Sequence, residues 1–253
     1  MPMYQHGDVA IHYEEAGSGF PMLVLPGGGL NATIAGMAEH AFDPLEAFSD
    51  THRVIAIDIR NAIGGQTDGP LDIEGTWDGF TDDELGLLDH LGVDKFVVQG
   101  FCIGGPMIWN LLRRAGDRVV AAVLVHPSGY ISSHPDIYVR NNMTKWAPEF
   151  VKNRPDVTMK MCAEFLDNMY TKKADFVFTV DRDFVRACQT PILILPDDIP
   201  AHPYATAMET ALLAPNAQVS IYPWKENDRK IALALNHIRT FLAVNTPTAA
   251  AAA

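Results

Sequence analysis

One side chain in the stretch KFVVQGFCIGGP could act as a nucleophile: Cys102, which stands between Gly100 and Gly104. The apolar, β-branched run at residues 96–98 predicts a strand, and IGGPMIWNLLRR predicts a helix that begins at about Ile103. Glycines two residues before and after a reactive residue are typical of a sharp strand-to-helix turn, because such a turn strains the central residue and leaves no room for neighbouring side chains. We therefore expect Cys102 to stand above the end of a strand.

A cysteine in this position suits acyl-transfer chemistry. A thiol at the N-terminus of a helix has a lowered pKa, because the helix dipole favours the thiolate. The backbone N–H groups that follow it, beginning with Ile103, would point at the place where an oxyanion develops. A thiolate there could attack an ester, a lactone, a thioester or a carbon–carbon bond beside a ketone. The alternative interpretation is that Cys102 is only a small buried side chain.

The elements around this turn predict a mostly parallel sheet flanked by helices. Strand patterns fall at residues 3–6, 8–14, 22–25, 53–57, 96–98, 119–125, 191–195 and 218–222. Helical patterns fall between them, at residues 77–91, from about residue 103, up to residue 214, and at 228–244. Such alternation is typical of an α/β fold, whose ligands bind beyond the carboxyl ends of the strands. Cys102, His126 and the adjacent pair Asp197 and Asp198 all follow such ends.

The tract GFCIGG resembles the nucleophile elbow of the α/β-hydrolase family, with cysteine where serine is usual. Dienelactone hydrolases are the relatives that have a cysteine in this elbow. The resemblance implies an α/β-hydrolase fold, with an eight-stranded, mostly parallel sheet, flanking helices and a helical cap. It also implies an oxyanion hole, in which Gly28 or Gly29 of the glycine loop PGGG joins the N–H group of Ile103.

The segment at residues 127–190 differs in character from the rest of the chain. It contains helical stretches rich in methionine and aromatic residues, without a buried-strand pattern. The resemblance implies a cap at this place, on a core formed by residues 1–126 and 191–246. Methionine and aromatic side chains suit a cover over an apolar ligand, although they could also simply pack the segment on the core. The alanine-rich end, 247–253, predicts a disordered tail.

An aspartate is the acid that the resemblance implies. In the family, an aspartate after the strand that follows the cap orients the catalytic histidine, and Asp198 matches this position best. Asp197, one residue earlier, is the alternative. Acidic residues at the start of a loop also form turns and cap helices, so a structural role is the competing interpretation for both.

The histidine that should complete the site is missing from its usual place. In the family it stands in the loop after the last strand, but here that loop reads PWKEND, and its Trp224 and Lys225 could line the pocket instead. His237 comes later, inside the closing helix, and we interpret it as a packing residue. Three alternatives remain open: His126, His202, or a thiol that needs no histidine because the helix has already ionised it.

The composition of the chain limits the kinds of molecule that it is expected to bind. A net charge of −12 over 253 residues argues against nucleic acid and anionic membranes, since both need a basic surface. The chain starts without a secretory pattern and has no apolar stretch long enough to span a membrane, so we expect a cytoplasmic protein. Three widely spaced cysteines fit neither disulfide bonds nor a zinc site, and we expect no metal or other cofactor. A small-molecule substrate is the expected partner, and a homodimer would be ordinary.

These features predict a hydrolase of a small, partly apolar ester, lactone or ring-cleavage product. Cys102 would be its nucleophile, supported by Asp198 and by His126 or His202. Two other classes remain open. One is a lyase or cofactor-free isomerase that uses the same pocket without an acyl-enzyme, and the other is a binding protein that kept the pocket and lost turnover. The absent histidine is the main argument for the binding protein.

Overall fold

The computed structural model describes residues 2–247, which form one sheet with helices against both faces. The strands are β1 (Met3–His6), β2 (Val9–Ala16), β3 (Phe20–Leu25), β4 (His52–Ile57), β5 (Phe96–Phe101), β6 (Val119–Val125), β7 (Ile192–Leu195) and β8 (Ala217–Val219). Their order across the sheet is β1-β2-β4-β3-β5-β6-β7-β8, antiparallel at β1-β2 and β2-β4 and parallel elsewhere. The predicted eight-stranded, mostly parallel sheet is confirmed. Apart from Pro247, the predicted tail at 247–253 lies outside the described residues.

The central strands are buried on both faces, which explains their continuous apolar sequences. Successive side chains of β3 point to opposite sides of the sheet, so Leu23 and Leu25 join one apolar layer while Met22 and Val24 join the other. Parallel sheets need such double cover, because their crossover helices lie on both faces. Apolar layers on both faces therefore fix the positions of the strand ends at the carboxyl edge of the sheet.

Nine α-helices lie within the described residues, and most of them follow a strand of the parallel part of the sheet singly, while four lie together between β6 and β7. They are α1 (Pro44–Phe48), α2 (Thr76–His90), α3 (Gly104–Ala115), α4 (Ile137–Lys145), α5 (Ala147–Asn153), α6 (Met159–Leu166), α7 (Arg182–Ala187), α8 (Tyr204–Leu213) and α9 (Asp228–Asn245). Within residues 2–247, none of them combines the length and the apolar character that crossing a membrane requires.

The last strand is shorter than the sequence predicts. The pattern extends to residue 222, whereas β8 ends at Val219. The N–H group of Ser220 still donates to Ile194 O at 2.8 Å, which is the last rung toward β7. Beyond it the chain turns away before Pro223, whose nitrogen has no hydrogen to donate to a ladder. The loop from residue 220 to α9 is thereby directed across the carboxyl edge of the sheet.

In the described chain, four α-helices, one π-helical turn (Asp167–Thr171) and no strand fill the segment between β6 and β7. These helices, α4 to α7, lie over loops that leave the sheet. The indole N–H of Trp146 donates to Asn61 O at 3.0 Å, and Trp77 on α2 donates to Met169 O at 3.1 Å. The segment predicted as a cap, 127–190, is thus helical and packed on the core, while its role as a cover over a ligand stays a prediction.

One carboxyl group of the core is buried without a partner. Glu84 on α2 is 1% exposed, and neither of its side-chain oxygens has a hydrogen-bond partner within the described residues. Burial, followed by the nearby charge of Asp83, raises the pKa of Glu84 well above its usual value. Arg60 cannot compensate, because its guanidinium is already paired with both oxygens of Asp83 at 2.8 and 2.7 Å.

We predict that Glu84→Gln stabilises the fold increasingly as the pH rises. Above the ordinary glutamate pKa of 4.5, the unfolded chain loses this proton while the folded protein keeps it, so wild-type stability falls with pH. The variant has no proton to lose, and its advantage should grow by at most about 1.4 kcal/mol per pH unit. Urea unfolding between about pH 5 and about pH 8 measures the difference.

The matched control is Glu74→Gln, which removes an exposed carboxyl just before the same helix. It should leave the pH dependence of unfolding unchanged. A constant difference in stability between Glu84→Gln and wild type at every pH would contradict the prediction.

Candidate active site

The turn between β5 and α3 has the close packing that the glycine spacing predicts. Cys102 has a φ of 52°, in the left-handed region that L-residues rarely adopt. A Cβ on Gly100 would lie 2.8 Å from the backbone of Gly104, and one on Gly105 would lie 2.5 Å from Pro127 Cβ. Side chains at these positions would force the strand, the helix and the next loop apart. The turn therefore needs its glycines, and it places Cys102 at the carboxyl edge of the sheet.

The N–H group of Gly28, in the glycine loop, interacts with the Cys102 thiol. Gly28 has a φ of 133° and Gly29 a φ of 62°, both of which favour glycine. This conformation brings the N–H group of Gly28 to the Cys102 thiol, where it lowers the thiol pKa. On the other side, Ile103 immediately precedes α3, and its N–H group has no acceptor among the described residues. An oxyanion hole formed by these two N–H groups stays a prediction.

His202 and Asp197 form a hydrogen-bonded pair beside Cys102. His202 Nδ1 lies 3.1 Å from Asp197 Oδ2, and both side chains are largely buried. The opposite ring nitrogen of His202, Nε2, is buried and has no hydrogen-bond partner of ordinary geometry among the described residues. The Cys102 thiol is nevertheless close enough that the thiol and the imidazole each shift the pKa of the other. Asp198, which matches the family position best, is exposed instead. Asp197, the alternative, is the residue that contacts a histidine.

The electrostatics favour a thiolate. Burial raises the pKa of the Cys102 thiol, but His202, Ser128 and the N–H group of Gly28 lower it, and the net result is a pKa of about 7. Burial lowers the pKa of His202, but Cys102 and Asp197 raise it, and the net shift is upward. The two shifts have one cause, because an imidazolium and a thiolate stabilise each other. Near neutral pH the pair can hold its proton on the histidine.

Ser128 belongs to the site, although the sequence provides no motif for it. Its Oγ lies 3.3 Å from Cys102 Sγ, and its N–H group donates to Cys102 O at 2.9 Å. The parallel pairing of β5 with β6 sets Phe101 opposite Val125, so the residues that follow the two strands are neighbours. The predicted pairing of these two strands could therefore have identified Ser128, just after β6, as a neighbour of Cys102.

His126 lies near the site but does not contact the thiol. Its ring centre is 4.6 Å from that of His202, and its ring stacks on Trp224 at 5.9 Å with an interplanar angle of 6°. Burial, then the charges of His202 and Lys225, lower the pKa of His126 well below its usual value. The ring of His126 therefore packs against those of His202 and Trp224, and its role as a base for Cys102 stays a prediction.

The loop after β8 brings a cation to the pair instead of a histidine. Lys225 Nζ lies 2.6 Å from Asp197 Oδ2, the same oxygen that His202 contacts. Trp224, beside it, is 1% exposed and anchors the loop against His126. His237, which the sequence suggested as a packing residue, has no hydrogen bond with these groups among the described residues. Its Nε2 lies 3.2 Å from Gln218 Oε1.

Aromatic side chains of the segment between β6 and β7 lie near Cys102. Tyr138 and Tyr170 stack at 5.0 Å, and Phe178 meets each of them edge-on at 5.3 Å. Burial raises the pKa of both tyrosines, and Cys102 raises it further. The same hydroxyl of Tyr138 accepts from Gly129 N at 3.1 Å and lies 2.9 Å from Ala201 O. It therefore ties the helical segment to the loops that carry Ser128 and His202.

The described residues contain no group of three or more histidine, cysteine, aspartate or glutamate side chains arranged to hold a metal ion. The three histidines near the site, which are His40, His126 and His202, contact one another through ring faces and edges.

A nucleophile-elbow turn at the carboxyl edge of an eight-stranded sheet defines this protein as one of the α/β-hydrolase type. The chain belongs to the alpha/beta hydrolase fold family, whose model matches residues 21–194. It is 32% identical over 120 residues to carboxylesterase YbfK of Bacillus subtilis (strain 168). That alignment covers 47% of this chain and 38% of the relative, so the chain matches well under half the length of this curated protein.

Solved structures share the fold over nearly the whole chain. The meta-cleavage product hydrolase from Pseudomonas fluorescens IP01 superposes with a TM-score of 0.69 at 19% identity, covering 93% of this chain and 95% of that one. The enol-lactonase from Burkholderia xenovorans LB400 gives a TM-score of 0.66 at 20% identity, covering 96% of this chain and 100% of that one. At such identities the likeness shows the fold alone.

We predict that Ser128→Ala raises the pKa of the Cys102 thiol. The hydroxyl interacts with the sulfur at 3.3 Å and favours its charged form. Loss of this contact should raise the thiol pKa by about 0.5–1 unit and slow alkylation about three- to tenfold below the titration midpoint. Mass spectrometry of iodoacetamide-treated protein, from about pH 5 to about pH 9, measures the rate at Cys102.

Ser132→Ala serves as the control, because Ser132 is exposed on the same loop. It should leave the alkylation profile unchanged. An unchanged profile in Ser128→Ala as well would show that the Ser128 hydroxyl does not stabilise the thiolate.

Proposed function

We propose that this protein is a hydrolase of small, partly apolar esters, lactones or ring-cleavage products, with Cys102 as its nucleophile. The observation that carries the proposal is the hydrogen-bonded pair of Asp197 and His202 beside an elbow thiol whose pKa is about 7. Membership of the alpha/beta hydrolase fold family supports it. So do the names of similar proteins, which include a carboxylesterase, a meta-cleavage product hydrolase and an enol-lactonase.

In this proposal the reaction proceeds through a thioester. The Cys102 thiolate attacks the substrate carbonyl, and the N–H groups of Gly28 and Ile103 stabilise the oxyanion. His202 gives its proton to the departing alkoxide and then takes a proton from water. That water attacks the thioester, releases the carboxylic acid and restores the thiol–imidazole pair. Asp197 holds the ring of His202 in the orientation that both proton transfers need.

The acid and the base both come from the loop after β7. The family order has the histidine after the last strand, whereas here His202 stands five residues after Asp197 and faces back to it. Ile199 and His202 exchange backbone hydrogen bonds, with His202 N to Ile199 O at 2.8 Å. This tight turn is the physical reason that two residues of one loop can contact each other.

The environment of Cys102 favours substrates with an apolar acyl part. Tyr138, Tyr170 and Phe178 present aromatic surface above the thiol, and burial keeps both tyrosines in their neutral form. Aromatic surface of this kind favours flat or branched apolar groups over charged ones.

The position of His202 beside the thiol favours a hydrolase over a protein that only binds its ligand. The absent histidine was the main argument for a protein that only binds its ligand, and His202 supplies the missing group from another loop. No contact in the described site singles out a lyase or isomerase reaction. Ester or lactone hydrolysis is therefore the proposal that uses every group around Cys102.

The first test is covalent. Brief exposure of wild-type protein to p-nitrophenyl acetate should add one acetyl group, which maps to Cys102 and disappears in Cys102→Ala, as intact mass and peptide mapping would detect. Wild-type protein that never acquires this adduct, and that is inactive on a panel of esters and lactones, would remove Cys102 as the nucleophile.

A matched pair of variants tests the acid. Asp197→Asn should lower kcat/KM for an ester by about 100-fold or more, because His202 loses its orienting carboxylate. Asp198→Asn, one residue away and exposed, should stay within about twofold of wild type. Equal losses in the two variants would contradict the assignment, and circular dichroism checks that both are folded.

A second pair tests the base. His202→Asn should abolish hydrolysis of the acetyl-enzyme, so that the adduct accumulates, whereas His126→Asn should still turn over because its ring only packs behind His202. Accumulation of the adduct in His126→Asn alone would reassign the base to His126.

A further inference from the structure

Lys225 occupies the place where the family resemblance leads us to look for a histidine. The loop that carries it is fixed at both ends, because Ser220 N donates to Ile194 O at 2.8 Å and Asn227 Oδ1 accepts from Lys230 N at 3.1 Å at the start of α9. Between these points Trp224 is buried and stacked on His126. The anchoring of the loop by Ser220, Trp224 and Asn227 therefore places Lys225 beside Asp197, whatever reaction the site performs.

The ammonium group of Lys225 shares one oxygen with the imidazole of His202. Lys225 Nζ lies 2.6 Å from Asp197 Oδ2, and His202 Nδ1 lies 3.1 Å from the same atom. The carboxylate of Asp197 is 10% exposed, so solvent screens this contact less than an ion pair at the surface. Lys225 itself is 40% exposed, which moderates its effect.

We infer that Lys225 is a positioning residue, which holds the carboxylate of Asp197 and limits the negative charge that reaches His202. The inference rests on the proposed function, since it concerns the same site. A carboxylate paired with an ammonium group attracts an imidazolium less strongly than a free one. The ammonium group also repels the imidazolium directly, so both effects have the same sign. Lys225 thereby sets how firmly His202 keeps its proton.

The other groups that face His202 allow this effect to be isolated. The titratable or charged side chains around it come from six different loops or helices and are Cys102, His126, Asp197, Lys225, His40 and Tyr138. His126 and His40 have pKa values lowered by burial, and burial also keeps Tyr138 neutral. Near neutral pH, the charges that act on His202 are therefore those of Cys102, Asp197 and Lys225.

The test is the titration of His202 in Lys225→Met. We expect its pKa to rise by about 0.5–1 unit relative to wild type, because the competing cation is gone. Imidazole signals in heteronuclear NMR spectra report the titration, and the His202 signal is assigned by its loss in His202→Gln. Lys225→Arg, which keeps the charge, should restore the wild-type pKa.

The matched control is Lys230→Met, which removes a lysine paired with Glu226 at the start of α9. It should leave the titration of His202 unchanged. A lysine that only braced its loop would give a different result: Lys225→Met would lower the melting temperature without moving the pKa of His202. That outcome, or an equal shift in Lys230→Met, would overturn the inference.

Lys225→Gln replaces the methionine variant if the latter does not fold. Failure of both neutral variants to fold, beside a normal Lys225→Arg, would assign Lys225 a purely structural role and would also overturn the inference. Because NMR titration needs no turnover, the outcomes separate the two proposals. A shift of His202 in a protein that hydrolyses nothing would reject the proposed function alone, and an active protein without the shift would reject the role of Lys225 alone.

Discussion

The close approach of β5 to α3 is the constraint on which the rest of the site depends. A Cβ on Gly100 would lie 2.8 Å from the backbone of Gly104, so the strand and the helix can meet only because Gly100 has no side chain. The approach forces Cys102 to a φ of 52°. The same packing brings Gly105 against Pro127, which holds the loop after β6 and places the hydroxyl of Ser128 beside the thiol. The turn thus positions the Cys102 thiol and one of the groups that stabilise its charged form.

The carboxyl edge of a parallel sheet explains how the histidine can come from another loop. The loops after β6, β7 and β8 leave the sheet side by side, because the strands are neighbours in the order β6-β7-β8. A base can reach the elbow from any of them if the loop turns in the right direction. In this chain the turn between Ile199 and His202 brings the imidazole close to the thiol, and the loop after β8 brings Lys225 to the same oxygen of Asp197 that His202 contacts. The contacts of Asp197 therefore come from two loops.

The sequence predicts the sheet and the elbow well because both depend on local patterns. Apolar runs mark the strands to within a few residues, and the glycine spacing marks the turn at Cys102. The choice between Asp197 and Asp198 is different in kind, since adjacent residues at a strand end point in opposite directions and the loop decides which one faces inward. The choice between His126 and His202 depends on ring orientation in the same way. Glu84 could not be singled out either, because a glutamate in an amphipathic helix ordinarily faces water.

The pairing of Lys225 with Asp197 gives a physical reason for cysteine in the elbow. A carboxylate already held by an ammonium group lends less support to an imidazolium, so a protonated His202 depends more on the thiolate of Cys102 for its stabilisation. A thiol can provide this, because its pKa lies close enough to that of histidine for a thiolate–imidazolium pair to form near neutral pH. A serine hydroxyl is far too weak an acid to do so, and it would need an imidazole made more basic by an unshared carboxylate. In this site the lysine and the cysteine are therefore coupled: with Lys225 on Asp197, a thiol suits the elbow better than the usual hydroxyl.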